Sequence, residues 1–331
     1  MVDPLLTDFL ILCAAAGLDY AIGDPWAWPH PVQGMGWVIG RSQSLILRLG
    51  PGWPRKLGGV VLGLGLIGGC GGLGWAIPEW GARLHPVFGA IAQVILLASC
   101  FAARGLRWAA LDVLEPLASG DLDQARHQLS RYVGRDTDQL EAGEMRRAVL
   151  ETIAENTTDG VTAPLFYAIA GLWLGIGPLP LALAYKAAST LDSMIGYRRD
   201  PFHDLGWFSA QLEDRLTWLP CRLTVLLIAL LSRHPRHVLT LCRRDAPQDP
   251  SPNSGWSECA YAAALGVQVG GLNTYRGELR PKPLLGDPIH PITPAVIDQG
   301  LAWMRSLFLW ELAIGGAGVL LQLALSLRSA P

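Results

Sequence analysis

Charged residues are absent from 57–78 and again from 86–103. At about 1.5 Å per residue, either run is long enough to cross a hydrocarbon core of roughly 30 Å. Both are predicted to span a membrane. A shorter run lies at 312–327, between Glu311 and Arg328, and Leu307, Phe308, Leu309 and Trp310 extend it to a predicted span over 307–327. The first apolar segment, 4–22, carries Asp8 and Asp19 near its ends, where a carboxylate still reaches water or headgroups. Residues 160–185 are uncharged as well, but Gly175, Gly177, Pro178 and Pro180 interrupt them. Proline removes an N–H and clashes with the preceding turn, so 161–186 is predicted as two half-helices, re-entrant or broken. A further apolar stretch, 216–232, is interrupted by Pro220 and Arg222 and either spans or lies in the interface. The pattern predicts an all-α integral membrane protein with about four to six transmembrane or re-entrant helices. Its polar segments are 23–56, 104–160, 187–215 and 233–305, and the whole of 1–331 reads as one polytopic domain.

Within the polar segments, Met145, Ala148, Val149, Thr152 and Ile153 recur at helical spacing and predict an amphipathic helix over 139–156. Composition agrees with a lipid environment: 50% of the 331 residues are hydrophobic and 16% charged, against roughly 25% in an ordinary soluble domain. The mean hydropathy of +0.29 leaves about half the chain outside a bilayer. A net charge of -2 offers no positive field for nucleic acid. The six cysteines are scattered, form no C-x-x-C pair and read as small core residues. No Lys or Arg precedes Arg41, which argues against a cleaved signal peptide. Arg41, Arg48, Arg55 and Lys56 follow the first span and seven arginines lie in 104–160, whereas the link between the two charge-free spans has only Arg83. This asymmetry puts the N-terminus outside; a hairpin at 160–185 would then keep 187–215 cytoplasmic and an interfacial 216–232 would do the same for 233–305, whereas spanning at both places would export 187–215. Trp53, Trp75, Trp80, Trp108, Trp218 and Trp303 sit near span ends, as in an aromatic belt.

Gly63-Leu-Gly65-Leu-Ile-Gly68 satisfies G-x-G-x-x-G, but inside a charge-free span it reads as close helix packing, and the chain has no P-loop. His234 and His237 lack a nearby third ligand and read as surface residues. Three clusters are richer. Glu151 and Glu155 share a helix face, with Asp159 following; like charges at this spacing call for a cation, either Arg147 or a bound Mg²⁺. Lys186, Ser189, Thr190 and Ser193 share a face that suits phosphate, with Asp192, Gly196 and Arg198 beside it; a lysine snorkelling at the boundary explains only the cations. Asp204, Trp207, Gln211, Asp214 and Trp218 recur on one helical face opposite leucines and can line a pocket. Finally, Pro250 to Glu258 leads into an Ala-rich helix predicted to end near Gly270-Gly271. Asn253 or Ser254 serves as its N-cap, and Gly255 permits close approach of an anion.

In order along the chain, Gly23-Asp24-Pro25 to Pro29-His30-Pro31-Val32, Glu155-Asn156-Thr157-Thr158-Asp159-Gly160, Lys186 to Tyr197, Asp204 to Thr224, Ser251 to Gly271, Tyr275 and Gly277 resemble the membrane-bound cobalamin-biosynthesis family that makes adenosylcobinamide or its phosphate. The resemblance covers nearly the whole chain. It implies a carbon–nitrogen ligase, driven by ATP and Mg²⁺. The enzyme would join (R)-1-amino-2-propanol or its O-phosphate to a propionate carboxylate of adenosylcobyric acid, with an acyl phosphate as the usual activated form. Within that frame Glu155, Asp159 and Asp192 are expected to hold Mg²⁺. Lys186, Arg198 and the helix start at Asn253, Ser254 and Gly255 are expected to bind phosphate. Asp24 and His30 would complete the rim, Asp204 and Asp214 would accept the amine proton, and Asn156, Thr190, Ser193 and Glu258 would line the nucleotide site. The expected setting is the inner membrane with a cytoplasmic active site, where the product passes to other membrane-associated enzymes of cobalamin assembly. The rivals are a non-enzymatic sensor of the same superfamily, which should lack part of the acidic and Asn-Ser-Gly set, and a corrinoid transporter, which should carry charges deep within its spans.

Overall fold

In the computed structural model, residues 3–23, 30–197 and 199–329 are described; Asp24 and Arg198 lie outside them. The helices are α1 (Pro4–Ala21), α2 (Pro31–Ile46), α3 (Trp53–Leu84), α4 (Pro86–Ala98), α5 (Ala103–Ser119), α6 (Leu122–Leu129) and α7 (Ala142–Thr157), which runs through a π-helical turn, Thr158–Thr162, into α8 (Ala163–Trp173). Then follow α9 (Pro178–Ile195), α10 (Phe202–Leu205), α11 (Trp207–Leu231), α12 (Pro235–Asp245) and α13 (Ser254–Leu265). A hairpin of β1 (Val269–Tyr275) and β2 (Glu278–Leu285) precedes the last helix, α14 (Pro294–Ser329). Four stretches are long and apolar enough to cross a membrane: Pro4–Ala21, Trp53–Leu84, Pro86–Ser119 and Pro294–Leu327. Only 22% of the most apolar window of α3 is buried within the protein, so its leucines and valines face outward, as lipid requires. The protein is an all-α, multi-pass membrane protein with one small sheet among the described residues.

The chain divides into two compact units. The first comprises Met1–Ala102, Ala163–Leu216 and Leu309–Pro331. Its helix starts follow from local chemistry: Asp3 accepts the Leu5 N–H, His30 Nδ1 accepts the Val32 N–H, and Pro31, Pro86 and Pro178 stand where a missing N–H is harmless. Ile39, Leu62, Leu191, Ile195 and Leu205 form a buried cluster between α2, α3, α9 and α10. The broken apolar run folds as the helix pair α8–α9, turned by Gly175 and Gly177 at φ +72 and +80. The G-x-G-x-x-G stretch lies in mid-α3, where Gly63 admits the Phe208 ring; it is a packing contact. α11 runs unbroken through Pro220. The carbonyl that a residue-220 N–H would have satisfied, that of Leu216, instead accepts the Tyr167 hydroxyl at 2.9 Å. Asp204 does not share a helix face with Trp207 and Asp214 as the spacing predicts. The chain turns at Gly206, whose Cα packs on the Ile195 carbonyl, and Asp204 ends up in α10, accepting the Gly52 N–H at 2.6 Å.

The second unit comprises Ala103–Thr162 and Thr217–Phe308. Leu129, Met145, Leu150, Ile153, Tyr261 and Leu301 are fully buried in it. α7 starts where the Glu144 carboxylate accepts the Glu141 N–H, and it packs on α13 and β1. The helix after Pro250 stops earlier than its composition predicts, at Leu265. Gly266 adopts the left-handed conformation at φ +65 and ends it, and the Gly270-Gly271 pair lies in β1. In the hairpin Gly271 pairs with Lys282 and Asn273 with Arg280, with an irregularity between Val269 and Gly271.

Candidate functional site

The Glu155–Gly160 motif occupies the last turn of α7 and the π-helical turn, a distortion often found at functional sites. Hydroxyls from the same stretch anchor it. Thr157 Oγ1 lies 3.0 Å from the Tyr261 hydroxyl on α13, and Thr162 Oγ1 lies 2.7 Å from Thr224 Oγ1 on α11. Glu155 is thereby fixed at the end of a rigid helix, with its side chain open to solvent.

Glu258, on the first turns of α13, is 0% exposed. Both of its oxygens accept from Lys282 Nζ of β2, at 2.6 and 2.8 Å. Burial pushes the Glu258 carboxyl above its ordinary range; Lys282 opposes this, and Glu155 and Glu151 add to it. For Lys282 burial works against the charge, but the carboxylates of Glu258, Glu151 and Glu155 outweigh it and hold the ammonium charged. Desolvation also lifts Glu155, against Lys282 and reinforced by Asp249 and Glu151. Because this side chain stays exposed, water screens its charge, and Glu155 is the accessible member of the group.

The hairpin that carries Lys282 is clamped from α7. Glu151, 2% exposed, accepts from Arg135, Arg147 and the Gly270 N–H, the last at 2.8 Å. Arg147 also donates to the Gly270 carbonyl, and Asn273 Oδ1 accepts from Arg135 and Arg147. Asp136 secures the far end by accepting the Arg276 and Gly277 N–H groups. The cation predicted to neutralise the Glu151 face is therefore Arg147 together with Arg135, and Glu151 belongs to the scaffold. Burial alone would raise Glu151, but Arg135, Lys282 and Arg147 outweigh it and hold the carboxylate below its ordinary value.

At the start of α13, Ser251 Oγ accepts the N–H groups of Asn253 and Ser254, and Asp249 Oδ1 accepts the Ser251 N–H. Asn253 occupies the cap position without a capping side-chain bond, and Gly255 packs against Asp249 and the Ala246 carbonyl, where a Cβ would clash. Beside it Arg222 lies 4.2 Å from the centre of the Trp256 ring and donates to the Pro252 carbonyl. Asp249 Oδ2 is buried without a hydrogen-bond partner.

Of the sequence-predicted residues, Glu155, Asn156, Asp159, Asn253, Ser254, Gly255 and Glu258 belong to the second unit, and Glu155 and Glu258 interact there. His30, Lys186, Thr190, Asp192, Ser193, Asp204 and Asp214 belong to the first unit. Thr190 and Ser193 donate their hydroxyl protons to carbonyls of their own helix, those of Lys186 and Thr190. Asp204 is engaged by the Gly52 N–H, with Lys56 at 3.8 Å. Asp24 and Arg198 fall outside the described residues. Lys282, Arg135 and Asp249 were not singled out from sequence. Lys282 stands in Arg-Pro-Lys-Pro with no motif around it, and only the need of Glu258 for a buried counter-charge points to it. Among the described residues no three His, Cys, Asp or Glu side chains form a metal-holding group.

Comparison with known proteins agrees with this arrangement of motifs. The family profile described as CobD/Cbib protein matches residues 12–304. "Cobalamin biosynthesis protein CobD" of Synechocystis sp. is 53% identical over 319 residues, covering 95% of this chain and 93% of that protein. The protein of the same name from Halalkalibacterium halodurans is 42% identical, covering 89% and 92%. "Cobalamin biosynthesis protein CbiB" of Salmonella typhimurium is 40% identical, covering 90% and 93%. No solved structure matches the chain. A profile spanning most of the sequence, and relatives aligned from end to end, place this chain in the CobD/CbiB family.

Proposed function

We propose that the chain acts in cobalamin biosynthesis as an ATP-dependent carbon–nitrogen ligase. It would attach (R)-1-amino-2-propanol or its O-phosphate to the propionate carboxylate of adenosylcobyric acid at the cytoplasmic face of the inner membrane. The observation that carries this reading is the carboxylate group of the second unit: Glu258 held by Lys282, with Glu155 and Asp249 in electrostatic contact. An amine reaches the enzyme as an ammonium ion and must lose a proton before it attacks a carbonyl carbon. Glu155, solvent-accessible at the end of α7, can hold that ammonium and accept its proton. Lys282, anchored on Glu258, keeps a positive charge near Glu155 and favours its ionised form, ready to take up a proton.

The donors suit Mg²⁺, which binds through one or two carboxylates plus substrate phosphates and keeps several waters. Asp249 Oδ2 is a buried oxygen lacking a partner, and Asp249 and Glu155 repel each other. Asp249, together with the nucleotide phosphates, would hold the ion, which when bound neutralises charge on those phosphates. Lys186 and Asp192 carry the corresponding phosphate and metal expectations in the first unit, and Lys186→Met and Asp192→Asn test each separately. The deciding experiment incubates purified protein with adenosylcobyric acid, Mg-ATP and each amine in turn, and weighs the corrinoid products. Amide product with one amine supports the reading, and Glu155→Gln should reduce it at least about hundredfold; absence of product with both amines overturns it.

A corrinoid transporter is the second reading. It is favoured by Glu311, which is 8% exposed in the middle of α14, where a carboxyl in an apolar helix usually marks a pathway. Corrinoid uptake into vesicles that is lost in Glu311→Gln, without any ligation by the wild type, would favour it.

A further inference from the structure

A groove of about 510 Å³ runs between the end of α2 and the start of α3 in the first unit, walled by Leu45, Ile46, Leu49, Leu57, Val61 and Leu62. Leu57 and Val61 are 61% and 64% exposed, and Leu45 and Leu49 are exposed beside them. The volume far exceeds the roughly 30 Å³ of a water molecule, and apart from Ser42 the walls are apolar. α3 is of membrane-crossing length, and Trp53 at its first turn is 82% exposed, the position expected of an interfacial tryptophan. The groove therefore starts at headgroup level and descends along a lipid-facing span.

The segment that forms it is cationic. Residues 31–78 contain Arg41, Arg48, Arg55 and Lys56 and no acidic residue. Arg55 donates Nε and Nη2 to the carbonyls of Leu49 and Leu47, which fixes its guanidinium beside the groove wall. Arg41 and Arg48 are exposed. Among the described residues Asp204 reaches this region, 3.8 Å from Lys56, and the arginines of 41–55 are in excess of it. Gly58, where a Cβ would meet Ile46 Cγ2 at 2.6 Å, keeps α2 and α3 close along the groove floor.

We propose that this groove binds an anionic phospholipid, with one acyl chain along the Leu57–Val61 wall and the phosphate against Arg48 and Arg55. Apolar walls continuous with a span and a one-signed rim together match that amphiphile, and the inference does not depend on the ligase reading. The test reconstitutes the full chain in phosphatidylcholine vesicles containing a phosphatidylglycerol probe with a diazirine in its acyl chain, or the same probe with a choline headgroup. Adducts are then mapped by mass spectrometry. The phosphatidylglycerol probe should label 45–62 preferentially. Arg48→Gln should weaken that labelling by roughly fivefold. Val61→Trp, which fills the groove without touching the rim, should abolish it. Equal labelling by both headgroups, adducts spread over all spans, or cross-links from this face to a second copy would each overturn the proposal.

Discussion

Replacing Glu151 by Gln removes one charge from the clamp that seats the β1–β2 hairpin. Its side chain and those of Arg135 and Arg147 are 3%, 8% and 12% exposed, so the variant leaves two guanidinium groups sheltered without their shared carboxylate. Losing one partner of a buried ion pair typically costs about 3–5 kcal/mol. The lower end applies, because Asn273 Oδ1 and the Gly270 and Leu272 carbonyls still accept from the arginines. A loss of about 3 kcal/mol corresponds to roughly a hundredfold drop in protection of hairpin amides, Gly270 N–H foremost because it donates to Glu151 Oε1. The sign with pH follows from the lowered carboxyl. Its contribution is present above the ordinary 4.5 and is lost as pH falls through the lower folded-state value, so the gap between wild type and Glu151→Gln is full at neutral pH and closes in acid. Hydrogen exchange of peptides covering 269–285, measured in detergent at neutral and acidic pH, reads both effects. A gap below about 1 kcal/mol, or one that does not change with pH, would refute the clamp.

Lys282→Met leaves Glu258 buried without its cation, so its carboxyl should take up a proton and the proposed ligation should fall, while Glu258→Gln in the same chain should recover most of the lost stability in thermal unfolding. Tyr167→Phe orphans the Leu216 carbonyl opposite Pro220 and should lower stability by about 1–3 kcal/mol, read as a drop in melting temperature in detergent. Gly59→Ala places a methyl on the Leu205 carbonyl and should cost about 1–3 kcal/mol, whereas Gly65→Ala, which meets nothing, should be silent.

The apolar helices were legible because a bilayer demands one thing of sequence, a charge-free run of sufficient length, and 57–78 and 86–103 meet it without reference to any neighbour. The break at 174–177 was legible for a similar reason: Gly175, Gly177 and Pro178 act on their own backbone. Where structure departed from pattern, a distant group had intervened. Helical spacing carried Asp204 onto the face of Trp207 and Asp214, but Gly206 is held against the Ile195 carbonyl and turns the chain there. Composition continued α13 to Gly270, yet one left-handed residue, Gly266, ended it and freed the following segment to pair as a strand.

The same distinction explains the site. Glu151 and Glu155 announced themselves by their like charge at i, i+4, and Arg147 was visible because it lies one turn away. Arg135 and Lys282 were not, since they reach the carboxylates from a loop and from the hairpin, 16 residues from Glu151 and 24 residues from Glu258 along the chain. A buried carboxylate nonetheless implies a counter-charge even when sequence does not say which. Once Glu258 is known to be wholly enclosed, some cation must be found for it. Of the basic residues on β2, Arg280 is exposed and turned to Glu278, and Lys282 supplies that cation from a strand whose position depends on Glu151. Substitutions at Glu151 should therefore disturb the proposed ligation through Lys282 even though Glu151 belongs to the clamp.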